Sequence, residues 1–211
     1  MKQKITYTLL GEGYAEYAFL EIYLKRIFTT KYTDIQVVSS KLMKPSGGKS
    51  NSSRVLSNLK NLCFKSFVSR NDIQLFIAGI DLDQADNDPD LLKYKARVKE
   101  MTDKLGKELL DKYQDKIILF VPIQAIDYWI LYQQYRLKNE TKPTENSLES
   151  TTKDATKKKL YGININETKI EKIAKEVAEK ADFAELSKQS KSFKFFHEQV
   201  EKFVNKAVKI I

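Results

Sequence analysis

The sequence is poor in the residues on which many enzyme classes depend. Cys63 is the only cysteine among 211 residues, so neither a disulfide framework nor a cysteine-rich zinc site can be built. His197 is the only histidine. That excludes histidine-cluster metal sites and the HExxH zinc-protease motif, and any Ser-His-Asp or Cys-His mechanism would have to use that one ring. There is no run of about 18 apolar residues to span a membrane. The N-terminal run ITYTLLG meets Glu12 too soon to form a signal-peptide core. These absences predict a soluble, cytoplasmic chain without a membrane partner, whose chemistry rests on carboxylates and lysines.

What is present suffices for one sizeable core, since 42% of the residues are apolar. Lys and Arg total 37 against 28 Asp and Glu, a formal charge of +9 that suits an anionic partner. Residues 4–10 (KITYTLL) read as a buried strand ending at Gly11, and Ala15–Phe28 has apolar residues at helical spacing. Ile35–Val38 reads as a second strand and Ile73–Ile80 (IQLFIAGI) as a third, with an amphipathic helix through Val55, Leu59, Leu62 and Phe67 between them. Residues 89–114 read as a helix weakened at Gly106, followed by a fourth strand, Lys116–Val121, and a helix over Ala125–Leu137. Residues 138–158 are polar and read as a loop or linker, and 166–181 and 192–209 as two amphipathic helices. Apolar strands alternating with helices predict an α/β fold: a mostly parallel four-stranded sheet with helices on both faces. The predicted organisation is an α/β domain over 1–137, the linker, and a helical C-terminal extension over 159–211 packed on the same domain.

In such sheets functional residues collect beyond the carboxyl ends of the strands. That places Glu12 after the first strand and Asp81 and Asp83 after the third on one edge. If the backbone stays extended across Asp81-Leu82-Asp83, the two side chains point the same way and repel unless a cation or proton intervenes. Mg²⁺, a hard ion that takes oxygen ligands, answers that need. Gly11 and Gly13 flank Glu12 and would let a substrate or ion approach the backbone. Asp86, Asp88 and Asp90 read instead as a solvated acidic loop capping the next helix. Between Lys31 and Arg70 there are eight basic residues and one acid, and this stretch holds the loop KPSGGKSNSSR. Lys44, Lys49 and Arg54 are therefore candidate contacts to a phosphate backbone. His197, Cys63 and the Tyr128/Trp129/Tyr132 group read as packing residues.

The motifs in order resemble the Toprim domain. LLGEGYAEYAFL is similar to its first motif, with Glu12 at the Toprim glutamate and Glu16 where small stand-alone Toprim proteins carry a second acid. IAGIDLDQAD is similar to its second, with Asp81 and Asp83 at the metal-binding pair. PIQAIDYWIL resembles a segment of OLD-family and RloB-like defence proteins, with Asp127 where a glutamate is usual, and SKQSKSFKFFHEQV resembles their S-x-SF-x-x-F segment. The resemblance implies a Toprim-like, Rossmannoid fold and a metal-dependent nuclease that cleaves phosphodiester bonds in DNA or RNA. Mg²⁺ or Mn²⁺ would be held by Asp81, Asp83 and Glu12, with Asp127 and Glu16 supporting a second ion. Glu12 would double as general acid/base, and Ser192 and Lys194 would touch the nucleic acid. It further implies a role in anti-phage defence with an ATPase encoded nearby; the number of subunits stays open, a homodimer being one option. Two other readings stand beside it. One is a non-catalytic nucleic-acid-binding or regulatory module. The other is a haloacid-dehalogenase-type phosphohydrolase, whose nucleophile motif Asp81-Leu82-Asp83 echoes, although Ala85 stands where that motif wants Thr or Val.

Overall fold

Each apolar, β-branched run forms a strand, and the helices between them return the chain so that every strand points the same way. The computed structural model describes residues 3–32, 34–40, 51–70 and 72–207. Its strands are β1 (Gln3–Leu10), β2 (Ile35–Ser39), β3 (Leu75–Gly79) and β4 (Ile117–Phe120). They form one parallel sheet in the order β2-β1-β3-β4. The chain leaves β1 toward β2 on one side and crosses back to β3 on the other. The topological switch point therefore lies between β1 and β3, where open α/β sheets form ligand crevices.

Strand alternation divides the core into two layers. On one face Ile5, Tyr7, Leu9, Leu75, Ile77, Ile118 and Phe120 pack with α1 (Tyr14–Lys31), α5 (Ile126–Leu137) and the C-terminal helices. The latter are α6 (Lys153–Tyr161), α7 (Glu167–Lys180), α8 (Phe183–Gln189) and α9 (Lys191–Ala207). On the other face Leu10, Phe76, Ala78 and Leu119 meet α2 (Ser52–Phe64), α3 (Leu92–Leu105) and α4 (Lys107–Tyr113). The first layer is aromatic: Trp129 stacks on Phe196 at 5.7 Å, and Tyr23 meets Phe183 edge-on at 4.8 Å. Gly79 is required by this packing. A Cβ there would lie 2.2 Å from the Phe120 ring.

The C-terminal helices are an integral layer. Arg26 donates to the carbonyls of Ala178 and Ala181 at 2.7 and 2.8 Å, satisfying the end of α7 with a cation. Gln199 on α9 covers the free edge of β4, donating to Leu119 O at 2.9 Å and accepting from Leu119 N–H at 3.3 Å. Three expectations change. The 89–114 helix is two helices broken at Gly106, whose φ of +83° no other residue adopts cheaply. The segment 138–158 is not all loop: only 138–152 lacks regular structure, and α6 begins at Lys153, capped by the Thr152 hydroxyl. The separate helix α8 has no counterpart in the sequence reading.

Candidate functional site at the carboxyl edge

The turn after β1 explains the two glycines around Glu12, though not as expected. A Cβ on Gly11 would meet Glu16 Cβ at 3.1 Å, and one on Gly13 would meet Glu16 Oε2 at 3.2 Å. The space they leave is filled by Glu16, not held open for an ion or substrate. Glu16 lies in the first turn of α1 and is buried. Loss of solvent pushes its carboxyl up to about 7, and the nearby charges of Asp127 and Glu12 push the same way. Glu12 remains half-buried and reaches across the switch point, where its Oε1 accepts the backbone N–H of Asp81 at 2.9 Å. Burial raises the Glu12 carboxyl above the usual carboxylate range, partly opposed by that hydrogen bond and by the charges of Lys153 and Arg97. Arg97, on α3, had no signal in the sequence beyond its charge.

After β3 the chain keeps pairing with the segment after β4. Leu82 N–H donates to Pro122 O at 3.0 Å and Asp83 N–H to Gln124 O at 2.9 Å. The expected extended Asp81-Leu82-Asp83 backbone is corrected here. Asp83 has φ +58° and Gln124, facing it, has φ +63°, so two non-glycine residues share the left-handed region at this edge. Such positions cost on the order of 1–3 kcal/mol and cluster where a site is being shaped. The turn leaves Asp83 half-exposed and Asp81 buried. Asp81 Oδ1 accepts the Ile126 N–H at the start of α5, at 3.2 Å, where the helix dipole favours an anion. Burial, reinforced by Glu16, holds its carboxyl well above the usual range despite the opposing charge of Lys153.

The two aspartates do meet, through a residue the sequence reading placed in the linker. Lys153 Nζ donates to Asp81 Oδ2 at 3.1 Å and to Asp83 Oδ1 at 2.5 Å. Those carboxylates raise the lysine above its ordinary value, against the effect of its own burial. Lys153, Lys157 and Tyr161 recur at four-residue spacing along one face of α6. Lys157 Nζ lies 3.9 Å from Asp127 Oδ2, and the Tyr161 hydroxyl donates to Asp127 Oδ1 at 2.5 Å. Asp127, in the first turn of α5, is buried and already hydrogen-bonded. Among the described residues no three carboxylates are grouped closely enough to hold a metal ion as they stand. What the edge holds is a line of four buried or half-buried acids and a fifth, exposed one, with an ammonium between two of them.

The expected nucleic-acid contacts are dispersed. Lys44 and Lys49 lie outside the described residues. Arg54 is exposed in the first turn of α2, close enough to Tyr17 for its charge to act on that phenol, and Tyr17 is hydrogen-bonded to Gly11. Lys194 is exposed on α9. Ser192 cannot touch a substrate as the structure stands. It is buried, its Oγ accepting the Trp129 indole N–H at 3.0 Å and the Ile123 N–H at 3.3 Å. The S-x-SF segment thus fastens α9 to the core: Ser190 Oγ accepts the Phe193 N–H at 3.3 Å. Asp86 is likewise buried rather than solvated, and accepts the Tyr94 N–H at 2.8 Å. His197 shares a 2.7 Å hydrogen bond between Nδ1 and the Tyr23 hydroxyl and stacks on Phe193, which agrees with a packing role. Cys63 is buried, its thiol pushed up to about 12, and behaves as a small hydrophobe. No helix of the described residues is long and apolar enough to cross a membrane. Comparison of the chain with protein-family models, with curated proteins and with solved structures finds no match in any of the three.

Proposed function

We propose that this chain is a metal-dependent nuclease of Toprim type that hydrolyses phosphodiester bonds in DNA or RNA. The observation that carries the reading is that Glu12, Asp81 and Asp83 share the edge at the β1/β3 switch point, Glu12 on the Asp81 backbone N–H and an ammonium between the two aspartates. All the donors are carboxylate oxygens, which suits a hard divalent cation such as Mg²⁺ or Mn²⁺. Asp81 and Asp83 would hold the ion, with Glu12 beside them and Glu16 and Asp127 behind. Such an ion supplies charge stabilisation to a phosphoryl oxygen and lowers the pKa of its bound water. The chain's own part is to align and to move protons. Asp81 is fixed by the Ile126 N–H, and Glu12 is tied to the Asp81 backbone, so the edge is organised before anything binds. Glu12 is half-buried, and burial moves its carboxyl above the ordinary glutamate range, the direction in which a carboxyl becomes a better general acid or base. The order of motifs along the chain also supports a defence role beside an ATPase from a neighbouring gene.

Glu12→Gln keeps the shape and an acceptor oxygen while removing the charge. Cleavage of plasmid, single-stranded DNA and transfer RNA with Mn²⁺ should fall by about 10²-fold or more, with the thermal melt nearly unchanged. An active wild type beside an equally active, equally stable Glu12→Gln variant refutes the assignment. One observation favours a second reading. With Lys153 seated between Asp81 and Asp83, the edge is electrostatically satisfied without any ion, as in a module that binds nucleic acid but does not cut it.

A further inference from the structure

Lys153 is the cation between the two aspartates in that reading, contacting them at 3.1 and 2.5 Å, but the reading gives it no task of its own. Its position is not incidental, because the strap that delivers it is fixed independently. Over residues 138–152 the Gln124 side chain donates to Glu149 O at 2.7 Å, and the Tyr128 hydroxyl donates to Thr151 O at 2.7 Å. The Tyr132 hydroxyl donates to Glu149 Oε2 and accepts the Leu148 N–H at 3.2 Å. Gln124 belongs to the same left-handed pair that shapes the edge, so the strap and the aspartates are built on one piece of backbone. The Thr152 cap then starts α6 with Lys153 as its first residue. Four rotatable bonds separate that fixed Cα from the ammonium, on a side chain that is one-third exposed. The head group can swing out while the strap stays where it is.

We propose that Lys153 is the built-in counterion of the carboxyl edge, and that a divalent cation binds Asp81 and Asp83 only by displacing it. The inference rests on the metal-dependent reading above. Both cations need the same oxygens: the ammonium takes Asp81 Oδ2 and Asp83 Oδ1, the two groups that would ligate the ion. Two positive charges sharing those oxygens repel strongly in a partly desolvated site. Metal affinity is then set by competition, and the ion-free edge is kept from collapsing or scattering by its own lysine. A cation too weakly charged to outcompete an ammonium, such as K⁺, does not load the site.

The test combines calorimetry with chemical labelling of the full chain. Mn²⁺ titrations compare wild type, Lys153→Met, which keeps the aliphatic stem, and Lys153→Arg, which keeps the charge. Lys153→Met should bind Mn²⁺ roughly tenfold or more tightly, as expected when a competing ion pair is removed, and Lys153→Arg should not. In parallel, amine acylation of wild type read by mass spectrometry should show Lys153 becoming more reactive as Mn²⁺ saturates, with K⁺ at equal ionic strength giving no change. Equal or weaker Mn²⁺ binding by Lys153→Met, or labelling of Lys153 that ignores bound Mn²⁺, overturns the competition while leaving the metal-dependent reading in place. No Mn²⁺ binding by any of the three proteins overturns both. If Lys153→Met fails to fold, the wild-type labelling still decides.

Discussion

The carboxyl edge and the strap over α5 each bury a carboxylate, and each neutralises it differently. At the edge, Asp81 is paired with an ammonium that also serves Asp83, on a side chain that is one-third exposed. In the strap, Glu149 has a phenol on one oxygen, and its other oxygen is buried with no hydrogen-bond partner among the described residues. An anion so placed is costly, and burial pushes the Glu149 carboxyl up to about 7. The edge is therefore held by a cation, the one that the proposed competition would have a metal ion displace. The strap's carboxylate has no cation beside it among the described residues, and burial there favours the protonated carboxyl, which pH alone changes. Burial of a carboxylate alone does not distinguish a binding site from a fastening. The partner does.

The largest effect that can break this comparison is at the edge. Asp81→Asn together with Asp83→Asn keeps the shape and removes both charges. Mn²⁺ affinity should fall by more than about 10²-fold, beyond the loss typical of groups that merely support a ligand. Seen from the sequence, removing two repelling acids would stabilise the metal-free fold. The structure reverses that expectation, because Lys153 already joins them and the double variant strands its ammonium. A metal-free melt no higher than wild type, with Mn²⁺ binding lost in calorimetry, is the expected pair of results. Undiminished Mn²⁺ binding would show that the edge is only another fastening.

Glu149 gives the next effect, and its sign is the reverse of an ordinary paired acid. Below the ordinary glutamate value of 4.5 both folded and unfolded chains carry the proton at this position. Between there and about 7 only the folded chain retains it, so the folded state binds more protons and stability falls as pH rises. Above that window the loss is complete, at about 3 kcal/mol at most for this one group. Glu149→Gln keeps an acceptor for Tyr132 and has nothing to titrate. Denaturant melts of variant and wild type should diverge between pH 4.5 and about pH 7 in the variant's favour and hold a constant gap above that. Parallel curves would mean that Glu149 is not held by its proton.

The contrast also marks what could be read without coordinates. The four strands follow from apolar runs, the helices read around them from apolar spacing, and the gathering of Glu12, Asp81 and Asp83 from the two runs, β1 and β3, that lead into acids. The strap has neither. In residues 138–152 the Glu149 carboxylate, Asn146, and the backbone carbonyls of Pro143, Glu149 and Thr151 fasten the segment, and scattered contacts of this kind in a polar stretch leave no periodic trace. Lys153 was hidden for the same reason, one lysine in a run containing Lys157, Lys158 and Lys159. The four-residue recurrence of Lys153, Lys157 and Tyr161 was the available signal, legible only once α6 is known to be a helix. The left-handed turn at Asp83 depends on pairing with Gln124, a contact between segments far apart in sequence.

The smallest expected effect is the sharpest control, since it sets two lysines on one helix face against each other. Lys157 stands one turn after Lys153 and points at Asp127 as Lys153 points at Asp81, but its ammonium is 3.9 Å away and its side chain more than a third exposed. Asp127 also has the Tyr161 hydroxyl as a partner, so it does not depend on Lys157 for satisfaction. A separated, solvent-screened pair of this kind contributes roughly 0–1 kcal/mol. Lys157→Met should leave the melt nearly unchanged and Mn²⁺ affinity within about twofold of wild type, which corresponds to roughly 0.4 kcal/mol. If Lys157→Met instead tightens Mn²⁺ binding as much as Lys153→Met, the gain comes from lowering the general positive charge around the edge. Shared contact with Asp81 and Asp83 would then have no special part in metal binding, and Lys153 would be one basic residue among several.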